Sequence, residues 1–235
     1  MLSEKPFTKW NLDQYLKELA KEFRKRNGTS MPAEIILIGG ASVVINYGFR
    51  EMTYDMDAII NAASSMKDAI NNVGDRYNLP NGWMNDDFVK TDSYTPRIIR
   101  YSKYYHTYSN VITFRTVTGE YLVAMKLKSG REYKYDRSDI IGILWEQAQM
   151  GEPLTMKRIR EAVVDLYGSY DVLSNDIKEF IEKAVHDGDY ESAYTRVRQA
   201  EEENRKNLIE YQEKKPGVIK SENVSDVLAA LRKRK

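Results

Sequence analysis

Residues 34–60, EIILIGGASVVINYGFREMTYDMDAII, constrain the fold more than any other stretch of the chain. The run 34–38 is short and apolar, which predicts a buried strand. Gly39-Gly40 breaks it. Residues 41–47 then predict a helix, with Gly48 placed to end it. Residues 52–60 predict the next strand. Upstream, Leu12, Tyr15, Leu16, Leu19 and Phe23 recur at helical spacing, with Lys and Glu on the other face. That pattern predicts an amphipathic helix ending near Gly28. The order is therefore helix, strand, glycine turn, helix, strand.

Asp55 and Asp57 lie on the second predicted strand. Side chains at i and i+2 of a strand share a face. Two carboxylates held close repel, which raises one pKa unless a cation binds between them. Mg²⁺ is suited to one or two carboxylates completed by phosphate oxygens. An isolated D-x-D reads more readily as two solvated acids, so its surroundings matter. A glycine turn opening a helix lets backbone approach a ligand closely, and a helix N-terminus favours anions. Fifteen positions separate Gly40 from Asp55, enough for the second strand to return beside the first. Glycine turn and acid pair then face one another at the strand ends. Arg50, just before the acid strand, is placed to pair with phosphate bidentately; otherwise it is an ordinary surface ion-pair partner.

Farther along, Ser64 or Ser65 is placed to cap a helix reaching about residue 77, and 78–85 is rich in turn residues. Residues 97–100 and 110–115 predict strands. Helices follow over 120–129, closed by Gly130, and over 139–149, capped by Ser138. After Gly151-Glu152-Pro153 the pattern turns helical: one helix capped by Thr155, one over 175–185, a long charged one over 190–213, and a short last one after Pro216-Gly217. The expected organisation is α/β over 1–152, with a helical region over 153–235. The 190–213 helix is charged nearly all round, which predicts projection or weak packing.

Composition narrows the chemistry. There is no cysteine, so disulfides, thiolate metal sites and cysteine nucleophiles are excluded. Two histidines, His106 and His186, make a zinc site or a histidine triad a poor prospect, and both read as surface residues. The net charge of +1 offers no global steering of nucleic acid. Residues 97–108, RIIRYSKYYHTY, interleave bases and aromatics as RNA-stacking surfaces do; exposed strands also use such residues for packing. The basic tail 232–235 reads as solvated. The N-terminal residues lack the apolar core of a signal peptide, and no apolar run approaches a membrane span. The expectation is a cytoplasmic protein with no membrane partner.

The segment Gly39-Gly40 … Gly48-Phe49-Arg50-Glu51-Met52-Thr53-Tyr54-Asp55-Met56-Asp57 resembles the first motif of nucleotidyltransferase-fold proteins, G-G/S … D-x-D. In the form G-G-x … G-x-R-x-x-T/S-x-D-x-D it is close to the AbiEii-type branch, the toxins of AbiE-like (type IV) toxin–antitoxin systems. Met125-Lys126-Leu127-Lys128-Ser129-Gly130-Arg131 … Asp136-Arg137-Ser138-Asp139 is similar to that branch's K-L-x-A-x-x-R … D-x-x-D motif. The resemblance spans roughly residues 34–148. Ser129 stands where the branch often has alanine.

The resemblance implies a small mixed sheet flanked by helices, an α/β (α+β) fold with a C-terminal helical part. It implies Mg²⁺ (or Mn²⁺) on Asp55 and Asp57, and Lys126 on the phosphates of a nucleoside triphosphate such as ATP, CTP or GTP. Asp139 becomes a fourth active-site group. Gly39, Gly40, Arg50, Thr53 and Arg131 complete the nucleotide site. Without the resemblance, Lys126, Arg131 and Asp139 read as an ion network between helices. The implied activity is transfer of a nucleoside monophosphate to an acceptor, RNA (tRNA) or protein, by a toxin with an antitoxin protein as partner. Alternatives are an inactive nucleotide-binding module and a small-molecule, drug-modifying nucleotidyltransferase. Many nucleotidyltransferases carry a third carboxylate on a later strand; residues 110–115 hold none, so the general base is unassigned. Trp83-Met84-Asn85-Asp86-Asp87 resembles a tract of related proteins, and Trp83 reads as a packing anchor.

Overall fold

In the computed structural model, which describes residues 6–220 and 223–232, the buried strand of the glycine segment is β2, Ala33–Leu37. It is central in a five-stranded sheet. β4 (Met56–Asn61) pairs antiparallel on one side and β7 (Ile112–Val117) parallel on the other. β5 (Met84–Asn85) and β6 (Ser102–Tyr108) form the edges, giving the order β5-β4-β2-β7-β6. This is the small mixed sheet flanked by helices that was expected.

Alternation along β2 layers the molecule. Ile35 and Leu37 enter one core with α1 (Lys9–Asn27) and α3 (Ser65–Tyr77). Ile36 and Ile38 enter another. That second core is built on α4 (Gly119–Ser129) and α5 (Asp136–Gln149), and continues into α6 (Met156–Tyr167) and α7 (Asn175–Asp187). Helices are needed on both faces because both faces of β2 are apolar. Leu12, Tyr15, Leu16, Leu19 and Phe23 of α1 are all buried, and Gly28 ends the helix. Trp83 is buried and donates its indole N–H to the Ile70 carbonyl, so it is a packing anchor. His106 and His186 are exposed. Among the described residues, no helix is long and apolar enough to cross a membrane.

Several elements differ from expectation. Gly39 and Gly40 are not a separate turn; they are the first two residues of α2 (Gly39–Asn46), whose C-cap is Tyr47 rather than Gly48. Residues 52–60 are not one strand. Met52–Thr53 form β3, which leaves the sheet to pair antiparallel with β1 (Phe7–Thr8). Tyr54-Asp55 bend between β3 and β4, and the Thr53 hydroxyl donates to the Asp55 carbonyl across the bend.

Residues 97–100 are not a strand. They lie in a 3-10 helix, Pro96–Tyr101, begun by Pro96 and capped by the Thr95 hydroxyl. The strand lies immediately after it. Neither Ser64 nor Ser138 caps a helix with its side chain: Ser64 makes no cap bond, and α5 begins earlier, at Asp136. Thr155 does cap α6.

The long helix α8 (Tyr190–Lys214) neither projects nor packs weakly. It lies along α5 and buries Glu201, Asn204 and Leu208. The last helix, α9 (Val224–Arg232), packs on α8 through Val224 and Leu228. Of the sequence expectations, the N-terminal residues 1–5 and the tail residues 233–235 lie outside the described residues.

Candidate active site

A cleft of about 430 Å³ opens where β2, β4 and the start of α2 meet the loop between α4 and α5. Of the residues expected in the site, the structure brings Gly39, Gly40, Arg50, Thr53, Asp55, Asp57, Lys126 and Arg131 to its lining. Asp139 is the exception. It is 1% exposed and lies beneath Lys126 and Arg50.

The acid side follows from the sheet. The Ile38 N–H donates to the Asp57 carbonyl, which fastens β4 beside the end of β2 and the start of α2. Asp55 sits in the bend just before β4 and Asp57 is the second residue of β4, yet both reach the same cleft. Among the described residues, neither carboxylate has an ion-pair or side-chain hydrogen-bond partner. Burial pushes the Asp57 carboxyl up, and the Asp55 charge pushes it further. A half-buried carboxylate beside a second one gains from a shared cation.

The glycine side faces the pair. Gly39 adopts φ +54°, and its Cα hydrogen points at Asp57: a Cβ there would lie 3.5 Å from Asp57 Oδ2. A side chain at Gly40 would run into the Thr53 hydroxyl and the Arg50 guanidinium. Glycine at both places lets the first turn of α2 sit directly beside the acids. The α2 N-cap, Ile38, supplies no side-chain acceptor, so the first amides remain available to an anion.

The cationic wall is one continuous ion network. Arg50 pairs with Asp139; Lys126 Nζ lies 2.7 Å from Asp139 and 3.1 Å from Asp136; Arg131 Nε lies 2.8 Å from Asp136. Desolvation works against the charge on Asp136, but Lys126 and Arg131 overcome it and hold the carboxyl down at about 2. Asp136 is therefore a fixed anion rather than a proton acceptor. The expected inter-helix ion network and the expected cleft residues are thus the same side chains. Arg50 is placed by α5: Glu146 Oε1 accepts the N–H groups of Gly48 and Phe49 at 2.7 and 2.6 Å, and Phe49 packs where Gly142 lacks a side chain.

The cleft is lined by five cationic side chains, Arg50, Lys126, Arg131, Lys134 and Arg205, against the carboxylates of Asp55, Asp57 and Asp136. The excess of positive charge, facing two acids that form no ion pair among the described residues, suits a polyphosphate carrying a divalent cation. Among the described residues there is no cluster of three or more His, Cys, Asp or Glu able to hold a metal alone. Two protein carboxylates match Mg²⁺ that takes its remaining ligands from phosphate and water.

Sequence reasoning missed the far wall. Tyr133, Lys134 and Tyr135 come from the α4–α5 loop, and Arg205, Leu208 and Ile209 from α8. Asp136 stood inside a quoted motif but carried no assigned role. For α8 the available signal was spacing: 201, 204 and 208 share one helical face, although two of the three are polar.

A mixed sheet that places a glycine helix start against an acid pair, with a lysine and arginines opposite, defines the nucleotidyltransferase class. A family model described as "Nucleotidyltransferase of unknown function (DUF6036)" matches residues 14–152, more than half of the chain, and the chain belongs to that family. No curated protein and no solved structure gives a match to the chain.

Proposed function

We propose that the protein is a divalent-metal-dependent nucleotidyltransferase of the AbiEii type. It moves a nucleoside monophosphate from a nucleoside triphosphate to an acceptor hydroxyl on RNA, as the toxin of a toxin–antitoxin pair. The observation that carries this reading is the unpartnered Asp55–Asp57 pair facing the free amides of α2 and the Lys126–Arg131 wall within one cleft.

Asp55 and Asp57 would hold Mg²⁺ (or Mn²⁺), which when bound polarises the phosphate being transferred. The first-turn amides at Gly39 and Gly40 receive phosphate oxygens. Lys126 and Arg131 face the charge that develops on the departing pyrophosphate, and Asp136 and Asp139 keep both cations in place. Tyr133, Leu208 and Ile209 give the cleft an apolar end for the nucleobase. The acceptor oxygen bonds to the α-phosphorus as the bridging bond to the β-phosphate breaks; pyrophosphate and the hydroxyl proton are released. Rate enhancement comes from charge stabilisation and positioning.

A screen of each labelled triphosphate against total tRNA, other RNA and protein acceptors tests the reading. The expected result is labelling of RNA by the wild type and none by Asp57→Ala. Equal labelling by both proteins overturns it. Growth arrest on expression, abolished by Asp55→Ala, is the expected sign of a toxin.

One observation favours a second reading, a nucleotide-binding module without turnover. β7 carries no carboxylate, and Asp136, the third acid in the lining, is consumed by ion pairs. Calorimetric binding of a triphosphate with no transfer to any acceptor would select it.

A further inference from the structure

Helix α5 begins without a cap of its own: its N-cap residue, Tyr135, offers no side-chain hydrogen bond. The acceptor comes instead from α8. Glu201 is 2% exposed, and its Oε1 takes the Arg137 N–H at 2.8 Å and the Ser138 N–H at 3.4 Å. These are donors that a helix N-terminus leaves orphaned. The same face of α8 grips the preceding loop. Asn204 donates to the Glu132 carbonyl at 2.9 Å. The Arg198 guanidinium lies 3.3 Å from the centre of the Tyr135 ring, which Arg50 also overlies at 5.5 Å. Leu208 packs in one cluster with Tyr133. Every one of these contacts lands on the segment that carries the Arg131–Asp136 pair, or on the first turn of α5, where Asp139 holds Lys126 and Arg50.

We propose that α8 acts as a clasp for the nucleotide cleft, with Glu201 as a positioning residue that sets residues 131–138 by capping α5 across the molecule. The clasp lies outside the family-matched segment 14–152, so the cleft motifs of that segment depend on a helix they do not contain. The inference rests on the proposed function only for its ligand; the clasp itself is a statement about the loop. Burial holds the Glu201 carboxyl up at about 7, against the hydrogen bonds from Ser138 and Arg137. Glutamine, a neutral side chain with the same acceptor, is thus a conservative replacement.

The test uses the full chain and three variants, Glu201→Ala, Glu201→Gln and Asn204→Ala, each checked for folding by circular dichroism. Amide hydrogen exchange reads residues 131–138, and calorimetry reads binding of the Mg²⁺ complexes of ATP, CTP, GTP and UTP. In Glu201→Ala, exchange over 131–138 rises while α6 and α7 stay protected, and nucleotide affinity falls by about tenfold, as when the support of a liganding group is lost. Glu201→Gln restores affinity to within roughly threefold of the wild type, because the acceptor survives. Asn204→Ala, which removes the bond accepted by the Glu132 carbonyl, lowers the amide order parameters of residues 131–135 measured by nuclear magnetic resonance and keeps the proposal testable if Glu201→Ala does not fold.

Unchanged exchange at Arg137 and Ser138 in Glu201→Ala, or unchanged order over 131–135 in a folded Asn204→Ala, overturns the clasp. Faster exchange with unaltered affinity overturns its positioning role, and so does a Glu201→Gln protein as impaired as Glu201→Ala. Failure of wild-type protein to bind any triphosphate overturns the proposed function instead, and the exchange arms then decide the clasp alone.

Discussion

Burial and the neighbouring Asp55 both raise the Asp57 carboxyl above its ordinary range. A folded acid with a raised pKa binds its proton more tightly than the unfolded chain does. The Asp57 contribution to stability is then complete at about pH 4 and below, and it declines as pH rises through the folded pKa. Asp57→Asn removes the penalty. The expected outcome is a higher Tm than wild type at neutral pH, no gain near pH 4, and loss of Mg²⁺-dependent nucleotide binding, checked by scanning calorimetry across pH and by titration. A stabilised variant that no longer works is the signature of a residue kept for its ligand.

Asp136 has the opposite sign. Lys126 and Arg131 outweigh its desolvation and lower it to about 2, so its contribution is present above the ordinary carboxyl range and is lost as pH falls from about 4 to about 2. Asp136→Asn leaves Lys126 buried with less counter-charge. It is expected to lower stability by about 3 kcal/mol in urea denaturation at neutral pH, with a smaller difference at acid pH. At this scale the residues carrying chemistry were legible because D-x-D, paired glycines and a lysine–arginine motif need little context. Asp136 was not, since its role arises only when α4 and α5 pack.

Elements decide where those residues point. The stretch 52–60 reads as one strand, but Met52–Thr53 instead pair with Phe7–Thr8, forty-odd residues away, which no local pattern reveals. The bend this creates does not separate Asp55 from Asp57. Arg50 shows the same dependence: its loop is held by Glu146 and by the flat surface at Gly142. An added methyl at Gly142 would occupy the Phe49 ring position. Gly142→Ala should therefore displace the 48–50 loop and weaken the Arg50–Asp139 pair. The expected outcome is a loss of about 1–3 kcal/mol in stability, with triphosphate affinity reduced by more than the same substitution at exposed Gly217 reduces it. Equal affinities in the two variants would show that α5 does not place Arg50. The charge pattern of α8 was legible as well, but its packing was not. A helix that buries glutamate and asparagine to cap and pin other backbone carries no apolar stripe to read.

At the scale of the whole molecule, the family match ends at residue 152, the place where composition also turns helical. The packing does not end there. Leu154, Ile159, Val163, Leu166, Leu173, Ile177 and Ile181 are buried in the same core as Ile36, Leu122 and Ile143. At roughly 1.5–3 kcal/mol for each such side chain, their removal withdraws about 10 kcal/mol or more, comparable to the entire net stability of a domain. It would also bare the α4 and α5 surfaces they cover. A chain cut after residue 152 retains every glycine, aspartate and lysine of the recognisable motifs, and yet it is expected to aggregate or to lack the dispersed amide spectrum of a folded protein. Adding back residues 153–188 should recover the fold while leaving the loop over 131–135 without the α8 contacts at Glu132, Tyr133 and Tyr135. The nuclear magnetic resonance spectra of the two truncations separate these contributions: α6 and α7 act on the stability of the core, and α8 acts on the order of the cleft. A dispersed spectrum from 1–152 alone would place the boundary of the folding unit where the family match ends, and would reduce the later helices to an accessory layer.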